Sequence, residues 1–78
     1  METKEKIIEL LKSEKNSGLD FDMLQDGIPL SDQGLDSLEK ITLFFNIEET
    51  YGISVLDVEV DSVKTLMDIV TLVENKIA

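Results

Sequence analysis

The sequence predicts an all-α fold, a small four-helix bundle with three longer helices, one short helix and a long loop between helices 1 and 2. Three observations lead to this prediction. Apolar residues recur at helical spacing in three segments, two of these segments begin with helix-capping patterns, and glycine follows the first two. The chain has 78 residues, enough for a single domain that covers residues 1–78.

The first helix is predicted over residues 3 to about 16. Ile7, Ile8, Leu10 and Leu11 fall on one side of this segment, and charged side chains occupy the other side. Gly18 follows, and glycine suits the left-handed conformation in which many helices end. The segment is therefore an amphipathic helix that covers a core with one face.

Residues 18–34 form the predicted long loop. The segment has no helical periodicity, and glycine or proline interrupts it at positions 18, 27, 29 and 34. It nevertheless carries scattered apolar residues, namely Leu19, Phe21, Leu24, Ile28 and Leu30. A free linker would not contain so many, so we expect an ordered loop that packs across the bundle.

The second helix is predicted to begin at Asp36. Asp36 can accept hydrogen bonds from the first free backbone N–H groups, and Glu39, three residues later, can reach back to the cap residue. The helical pattern continues to about Tyr51, and Gly52 provides the stop.

This helix carries two apolar stripes rather than one. The first contains Leu43, Phe44, Ile47 and Tyr51, and the second contains Leu38, Ile41 and Phe45. One stripe is enough to hold a helix in a small bundle. The second stripe has two interpretations: the helix is buried on two sides, or the stripe is an exposed patch with an acidic rim on which a partner docks.

Residues 53–63 are ambiguous. Leu56, Val58 and Val60 alternate with acidic residues, which favours a strand. A lone strand has no partner in this chain, however, and Ser54 followed by Asp57 resembles a helix start. We predict a short helix or an irregular turn.

The last helix begins at a second capping pattern, Thr65 with Asp68. Its apolar stripe consists of Leu66, Ile69, Val70, Val73 and Ile77. Lys76 lies near the negative end of the helix dipole, where a cation is favoured.

The composition argues against an enzyme. The chain has no histidine and no cysteine, so it lacks Ser-His and Cys-His dyads and the usual ligands of zinc. Carboxylates alone would have to perform the chemistry, and a chain this short has little room to enclose a substrate. We therefore expect no catalytic residues and no metal site.

The charge balance bears on the partners. Seventeen acidic and seven basic residues give a formal net charge of −10, which repels nucleic acid and anionic lipid and favours basic protein partners. The first residues do not resemble a signal peptide, and no apolar stretch is long enough to span a membrane. We expect a cytoplasmic monomer that does not insert into membranes.

Three motifs resemble those of acyl carrier proteins. Gly34-Leu35-Asp36-Ser37-Leu38 is similar to the motif in which a serine receives 4′-phosphopantetheine from coenzyme A. Residues 47–53, Ile-Glu-Glu-Thr-Tyr-Gly-Ile, look like the end of the family's second helix, and residues 63–69, Val-Lys-Thr-Leu-Met-Asp-Ile, look like the entry into its last helix. The resemblance extends over nearly the whole chain in the correct order.

The resemblance implies a function. Ser37, with Asp36 beside it, would hold the phosphopantetheine arm, and acyl groups would travel on that arm as thioesters in the synthesis of fatty acids or of related lipids and secondary metabolites. A phosphopantetheinyl transferase would attach the arm. Acyl synthases and transferases with basic patches would then dock on a face formed by Leu38, Glu39, Ile41, Phe45, Glu48 and Glu49.

The chain departs from the family pattern at four positions. Thr42 replaces a common acidic residue, Lys40 adds positive charge, Gln33 replaces an apolar residue and Phe45 is bulkier than usual. Thr42 and Lys40 make the docking face less acidic and so leave other cargo open, namely an amino acid or a polyketide, as on D-alanyl or peptidyl carriers. A third interpretation is an acidic interaction module that is no longer modified.

Overall fold

The structure is a computed structural model, and it describes residues 2–13 and 18–78. Four α-helices follow one another in the described chain: α1 (Glu2–Ser13), α2 (Ser37–Tyr51), α3 (Asp57–Ser62) and α4 (Leu66–Ile77). Two short 3₁₀ turns, Phe21–Met23 and Leu30–Gln33, lie in the loop between α1 and α2. The predicted all-α fold with three longer helices and one short one is confirmed.

Helix α1 packs against both α4 and α2. It begins one residue earlier than predicted, and its predicted end near residue 16 lies outside the described residues. Ile7 and Leu11 are fully buried, and Ile8 and Leu10 pack partly against the core. The stripe predicted from the sequence therefore faces the core.

Helix α2 packs against α1, and its predicted bounds are confirmed. Gly52 ends it in the left-handed conformation, with φ +66°, and its N–H donates to the carbonyl of Glu48. Leu43, Phe44 and Ile47 are buried, while Tyr51 is half-buried at the edge of the core.

The long loop packs across the bundle, as predicted. Leu19 and Leu30 belong to the core, whereas Ile28 is exposed. The loop is tied to the start of α4 by a short antiparallel bridge between Pro29 and Thr65. Beside the bridge, the N–H of Leu30 donates to the Lys64 carbonyl at 2.8 Å. These bonds hold the loop against the short segment that joins α3 to α4.

Gln33 organises the loop from within. Its side-chain oxygen accepts a hydrogen bond from the N–H of Gln25 at 2.8 Å. Its side-chain nitrogen donates to the carbonyls of Gln25 and Ile28 at 2.9 and 2.8 Å. A polar residue therefore occupies a position where the family pattern has an apolar one, and here it ties three backbone groups of the loop together.

The ambiguous segment contains the short helix α3, and its start differs from the one that the sequence suggested. The cap residue is Leu56 rather than Ser54, and Glu59 alone provides a capping bond by accepting from the Leu56 N–H at 2.9 Å. Glu59 also pairs with Lys76 of α4 at 2.9 Å. A contact distant in sequence thus supports a helix that has weak local signals.

Helix α4 begins as predicted, with the Thr65 hydroxyl and the Asp68 carboxylate bonded to each other's backbone N–H groups. Four residues of its stripe are fully buried, namely Leu66, Ile69, Val70 and Val73. Ile77, the fifth, is instead exposed, because the last turn extends beyond the core. Within the described residues, no helix combines the length and the apolar character needed to cross a bilayer.

Candidate functional site

Ser37 is the first residue of α2, and its side chain is exposed. The preceding turn is fixed by a complete capping box. The Asp36 carboxylate accepts from the Glu39 N–H at 2.8 Å, and the Glu39 carboxylate accepts from the Asp36 N–H at 3.0 Å. The predicted cap is therefore present, and it holds Ser37 at the open N-terminal end of the helix.

The Ser37 hydroxyl has no base to activate it. In the part of the chain that the structure describes, no side chain hydrogen-bonds to it, and the one adjacent carboxylate, Asp36, caps the helix and is a poor base for an alcohol. The whole chain has no histidine. Ser37 is therefore an accessible hydroxyl but not a nucleophile that this chain can activate.

A pocket of about 210 Å³ opens beside Ser37. It lies where the loop, the first turn of α2 and the segment before α4 meet, and it is lined by Leu30, Ser31, Leu35, Asp36, Ser37, Lys40 and Lys64. An anion attached to Ser37 would face free backbone N–H groups at the positive end of the helix dipole. The residues present therefore fit a phosphodiester at this position.

Lys40 lines the pocket beside Ser37. Its ammonium group donates to the carbonyl of Val63 at 2.6 Å, which links α2 to the segment between α3 and α4. Burial lowers the pKa of Lys40, and the nearby charge of Lys64 lowers this pKa further, while Asp61 opposes the shift. The sequence identified Lys40 only as a departure from the family pattern, and Lys64 was missed.

The second apolar stripe of α2 is exposed to solvent. Leu38, Ile41 and Phe45 are 73%, 57% and 60% exposed, respectively. The interpretation that α2 is buried on two sides is therefore wrong, because neither the loop nor α3 covers this side of the helix. An apolar patch of this kind on a small protein commonly marks a binding surface.

The predicted acidic rim contains carboxylates of two kinds. Glu39 belongs to the cap of α2, and Glu48 accepts from the N–H of Val55 at 2.9 Å, which fixes the turn after α2. Glu49 is exposed, and within the described residues no hydrogen bond or ion pair holds it. Two of the three glutamates thus also have a structural role.

A larger groove, of about 410 Å³, lies between α2 and α3. Ile41, Phe44, Phe45, Val55 and Val60 provide an apolar lining, and Glu48, Asp57 and Asp61 lie at its edges. Its volume is within the range of small-molecule pockets in proteins. Among the residues that the structure describes, no group of three or more acidic side chains is arranged to hold a metal ion.

Comparison with known proteins assigns the family. The family model for a phosphopantetheine attachment site matches residues 5–73. The chain belongs to this family. A curated acyl carrier protein homolog of Mycoplasma genitalium is 36% identical over 94% of this chain and 86% of its own length. The acyl carrier protein of Thermosynechococcus vestitus is 34% identical over a shorter match, 60% of this chain and 58% of that protein.

The fold of this carrier is also that of a solved relative. The crystal structure of an acyl carrier protein from Thermotoga maritima superimposes with a TM-score of 0.77 at 26% identity, covering 97% of this chain and 91% of that one. Together with the family match, this shows an acyl carrier that works on a phosphopantetheine arm and is not an enzyme. Family membership implies that synthases, transferases and a phosphopantetheinyl transferase act on it.

Proposed function

We propose that Ser37 is the residue that receives 4′-phosphopantetheine. The observation that carries the proposal is the exposed hydroxyl at the first position of α2, held by the capping box of Asp36 and Glu39 and open to a pocket. A phosphodiester at this position gains about 0.3–1 kcal/mol from the helix dipole at an exposed site. Ser37 also occupies the serine position of the family motif.

The chain's own part in the modification is to present the oxygen. The Ser37 oxygen forms a bond to the phosphorus of the arm as the pyrophosphate bond of coenzyme A breaks, and adenosine 3′,5′-bisphosphate leaves. The serine proton passes to a base that the transferase supplies. Asp36 positions Ser37 through the cap and takes no proton, since a carboxylate is a poor base for an alcohol. Once attached, the arm supplies a terminal thiol, which this cysteine-free chain lacks, to hold cargo as a thioester.

The same proposal assigns the exposed stripe of α2 as the docking face. Leu38, Ile41 and Phe45 would contact apolar residues of a partner, and the glutamates around them would meet its basic patch. Rim charges of this kind contribute little individually, but together they speed encounter and keep it reversible. A carrier that visits successive enzymes needs this fast exchange more than tight binding.

For the cargo, we propose acyl chains of fatty-acid or related lipid synthesis, in the cytoplasm. The groove between α2 and α3 supports this choice, because its apolar lining would shield a hydrocarbon chain from water, whereas an amino acid would leave it empty. The alternative remains a carrier of amino-acid or polyketide cargo. It is favoured by Thr42 and Lys40, which make the docking face less acidic than is usual in the family.

Mass spectrometry tests the attachment. The protein would be incubated with coenzyme A and a promiscuous phosphopantetheinyl transferase, and peptide mapping would locate the added arm. We expect wild type and Ser31→Ala to gain one arm and Ser37→Ala to gain none. Ser31 is a matched control because it is an exposed serine in the wall of the same pocket. Modification of Ser37→Ala, or none of wild type, would refute the assignment.

Charge reversal tests the docking face. We expect Glu48→Lys with Glu49→Lys to slow the transferase and to weaken the dependence of its rate on salt. Glu5→Lys with Glu9→Lys makes the same change of charge on exposed positions of α1 and should leave the rate near that of wild type. Equal slowing by both pairs would mean that net charge, rather than this face, guides the transferase.

Thermal melting of loaded forms tests the cargo. Octanoyl and alanyl thioesters would be attached in turn to the same arm. We expect the octanoyl form to melt at a higher temperature than the unacylated form and the alanyl form to show no gain, because only the longer chain can fill the groove. Stabilisation by alanyl alone would favour the amino-acid alternative.

A further inference from the structure

The pocket beside Ser37 holds two lysines in a protein that is strongly acidic. Lys40 and Lys64 both line it, although the chain has 17 acidic and only 7 basic residues. Elsewhere in the described chain, Lys4 and Lys76 contact carboxylates at 2.6 and 2.9 Å. Within the same residues, neither pocket lysine forms an ion pair, although Asp61 lies near enough to Lys40 to raise its pKa. Lys6 and Lys12 form no ion pair there either. What distinguishes Lys40 and Lys64 is therefore their place in the lining of the pocket that contains Ser37.

Lys40 is in an electrostatically unfavourable position. It is the fourth residue of α2, in the first turn, where the helix dipole favours anions and disfavours cations. Because Ser37 and Lys40 are three residues apart on one helix, their side chains lie on the same face. The ammonium of Lys40 is held there by its bond to the Val63 carbonyl. Burial and the charge of Lys64 lower its pKa while Asp61 raises it, and an anion in this pocket would offset the repulsion between the two lysines.

Lys64 approaches the pocket from a different element. Its backbone is fixed on both sides, since its carbonyl accepts from Leu30 at 2.8 Å and its N–H donates to Asp68 at 3.1 Å. The root of the side chain is therefore held at the rim of the pocket, while the side chain itself is exposed. Two lysines from separate elements thus line the pocket that contains Ser37.

We propose that Lys40 and Lys64 form an anion-binding wall that binds the phosphodiester of the arm on Ser37. This inference rests on the proposed attachment at Ser37 and deepens it. The two lysines are positioning residues: they neutralise the phosphodiester and hold the near end of the arm against the pocket, while the far end stays free to reach partner enzymes. The phosphodiester in turn gives these lysines an ion-pair partner, which neither has within the described chain.

The first measurement compares lysine side chains before and after loading. Apo and fully loaded protein would be prepared with coenzyme A and the transferase, and the ¹H–¹³C resonances of the lysine ε-methylene groups would be recorded. We expect the resonances of Lys40 and Lys64 to shift on loading and that of Lys6 to remain unchanged. Lys6 is an exposed lysine of α1 that lies on another surface. This measurement needs no variant and so does not depend on a mutant folding.

The second measurement is a thermodynamic cycle. Melting temperatures of the apo and loaded forms would be compared for wild type, Lys64→Gln, Lys40→Gln and the control Lys6→Gln. The quantity compared is the change in melting temperature on loading. We expect this change to be more positive in wild type than in either pocket variant by roughly 1–5 °C, the shift expected for a surface ion pair in a domain of this size. The control should match wild type, and added salt should shrink the difference.

The outcomes separate this inference from the attachment itself. If mass spectrometry places the arm on Ser37 but lysine resonances and loading shifts are the same in all variants, the lysine wall is refuted and the attachment stands. If the pocket variants load slowly but give unchanged shifts once loaded, the lysines act on the transferase and the proposal is again refuted. If no arm is found on Ser37, both proposals fail.

Discussion

The contact between Gly18 and Gly34 predicts where this fold does not tolerate a methyl group. A Cβ built on either glycine would collide with the backbone of the other. Gly34, with φ +115°, also has a backbone conformation that is unfavourable for other residues, whereas Gly18 does not. Gly52 has a positive φ of +66° but open space around it, and Gly27 has neither constraint. The four glycines thus separate backbone strain from collision.

The expected losses follow from these two effects. Placing alanine at a positive φ costs about 1–2 kcal/mol of the free energy of unfolding, which is the loss expected for Gly52→Ala. Collision with packed backbone costs about 1–3 kcal/mol, which is the expectation for Gly18→Ala. Gly34→Ala meets both and should lose roughly 2–5 kcal/mol. Gly27→Ala should be neutral or gain up to about 1 kcal/mol, since alanine restricts the unfolded chain.

Urea denaturation followed by circular dichroism would measure these changes in the free energy of unfolding. A domain of this size has about 4–12 kcal/mol in total. The Gly34 variant should therefore have a urea midpoint well below that of wild type, and a loss at the top of the expected range would unfold it if the total lies at the bottom of this range. Gly34→Ala should also slow modification of Ser37, because Gly34 sets the course of the chain into α2. The reasoning is refuted if Gly34→Ala loses no more stability than Gly52→Ala, or if Gly18→Ala equals Gly27→Ala.

Three further predictions concern single side chains. Two backbone N–H groups lower the pKa of Asp68. The stability that ionised Asp68 contributes is therefore present above its unfolded-state pKa of about 3.9 and is lost as the pH falls through the folded-state pKa. Asp68→Asn should flatten the acid limb of a stability–pH curve, and an unchanged limb would contradict this. Gln33→Leu should cost roughly 1–3 kcal/mol and speed hydrogen exchange at the Gln25 amide, whereas unchanged exchange would count against the bond. Burial, together with the charge of Glu74, raises the pKa of Tyr51, the only tyrosine in the sequence. Ultraviolet titration should place this pKa above the usual value of about 10, and Glu74→Gln should lower the pKa.

The sequence predicted the helices whose starts are encoded locally. Asp36 with Glu39 and Thr65 with Asp68 form complete capping boxes three residues apart, and a pattern this short can be found without the fold. The start of α3 could not be found in the same way. Its cap residue is Leu56, which has no polar side chain.

The candidate site was predictable to a similar extent. Ser37 and the exposed stripe of α2 follow from one short motif and one helical periodicity. The lysine pair did not emerge, because Lys40 and Lys64 lie 24 positions apart and meet only through the contact of Lys40 with Val63. One local signal was present: a lysine in the first turn of a helix opposes the dipole, and such a residue suggests an anion nearby.

The two sides of helix α2 have different tasks, folding on one side and the proposed partner contact on the other. Its buried stripe, with Leu43 and Ile47 fully enclosed, determines whether the chain folds, and its exposed stripe makes little contribution to that. Substitutions at Ile41 or Phe45 can therefore change surface shape and polarity at a small cost in stability, usually within about 0.5 kcal/mol for exposed positions. A lineage, or a designer, can thus redirect the carrier to a new enzyme by replacing a few side chains on one side of a helix while the bundle beneath them stays the same.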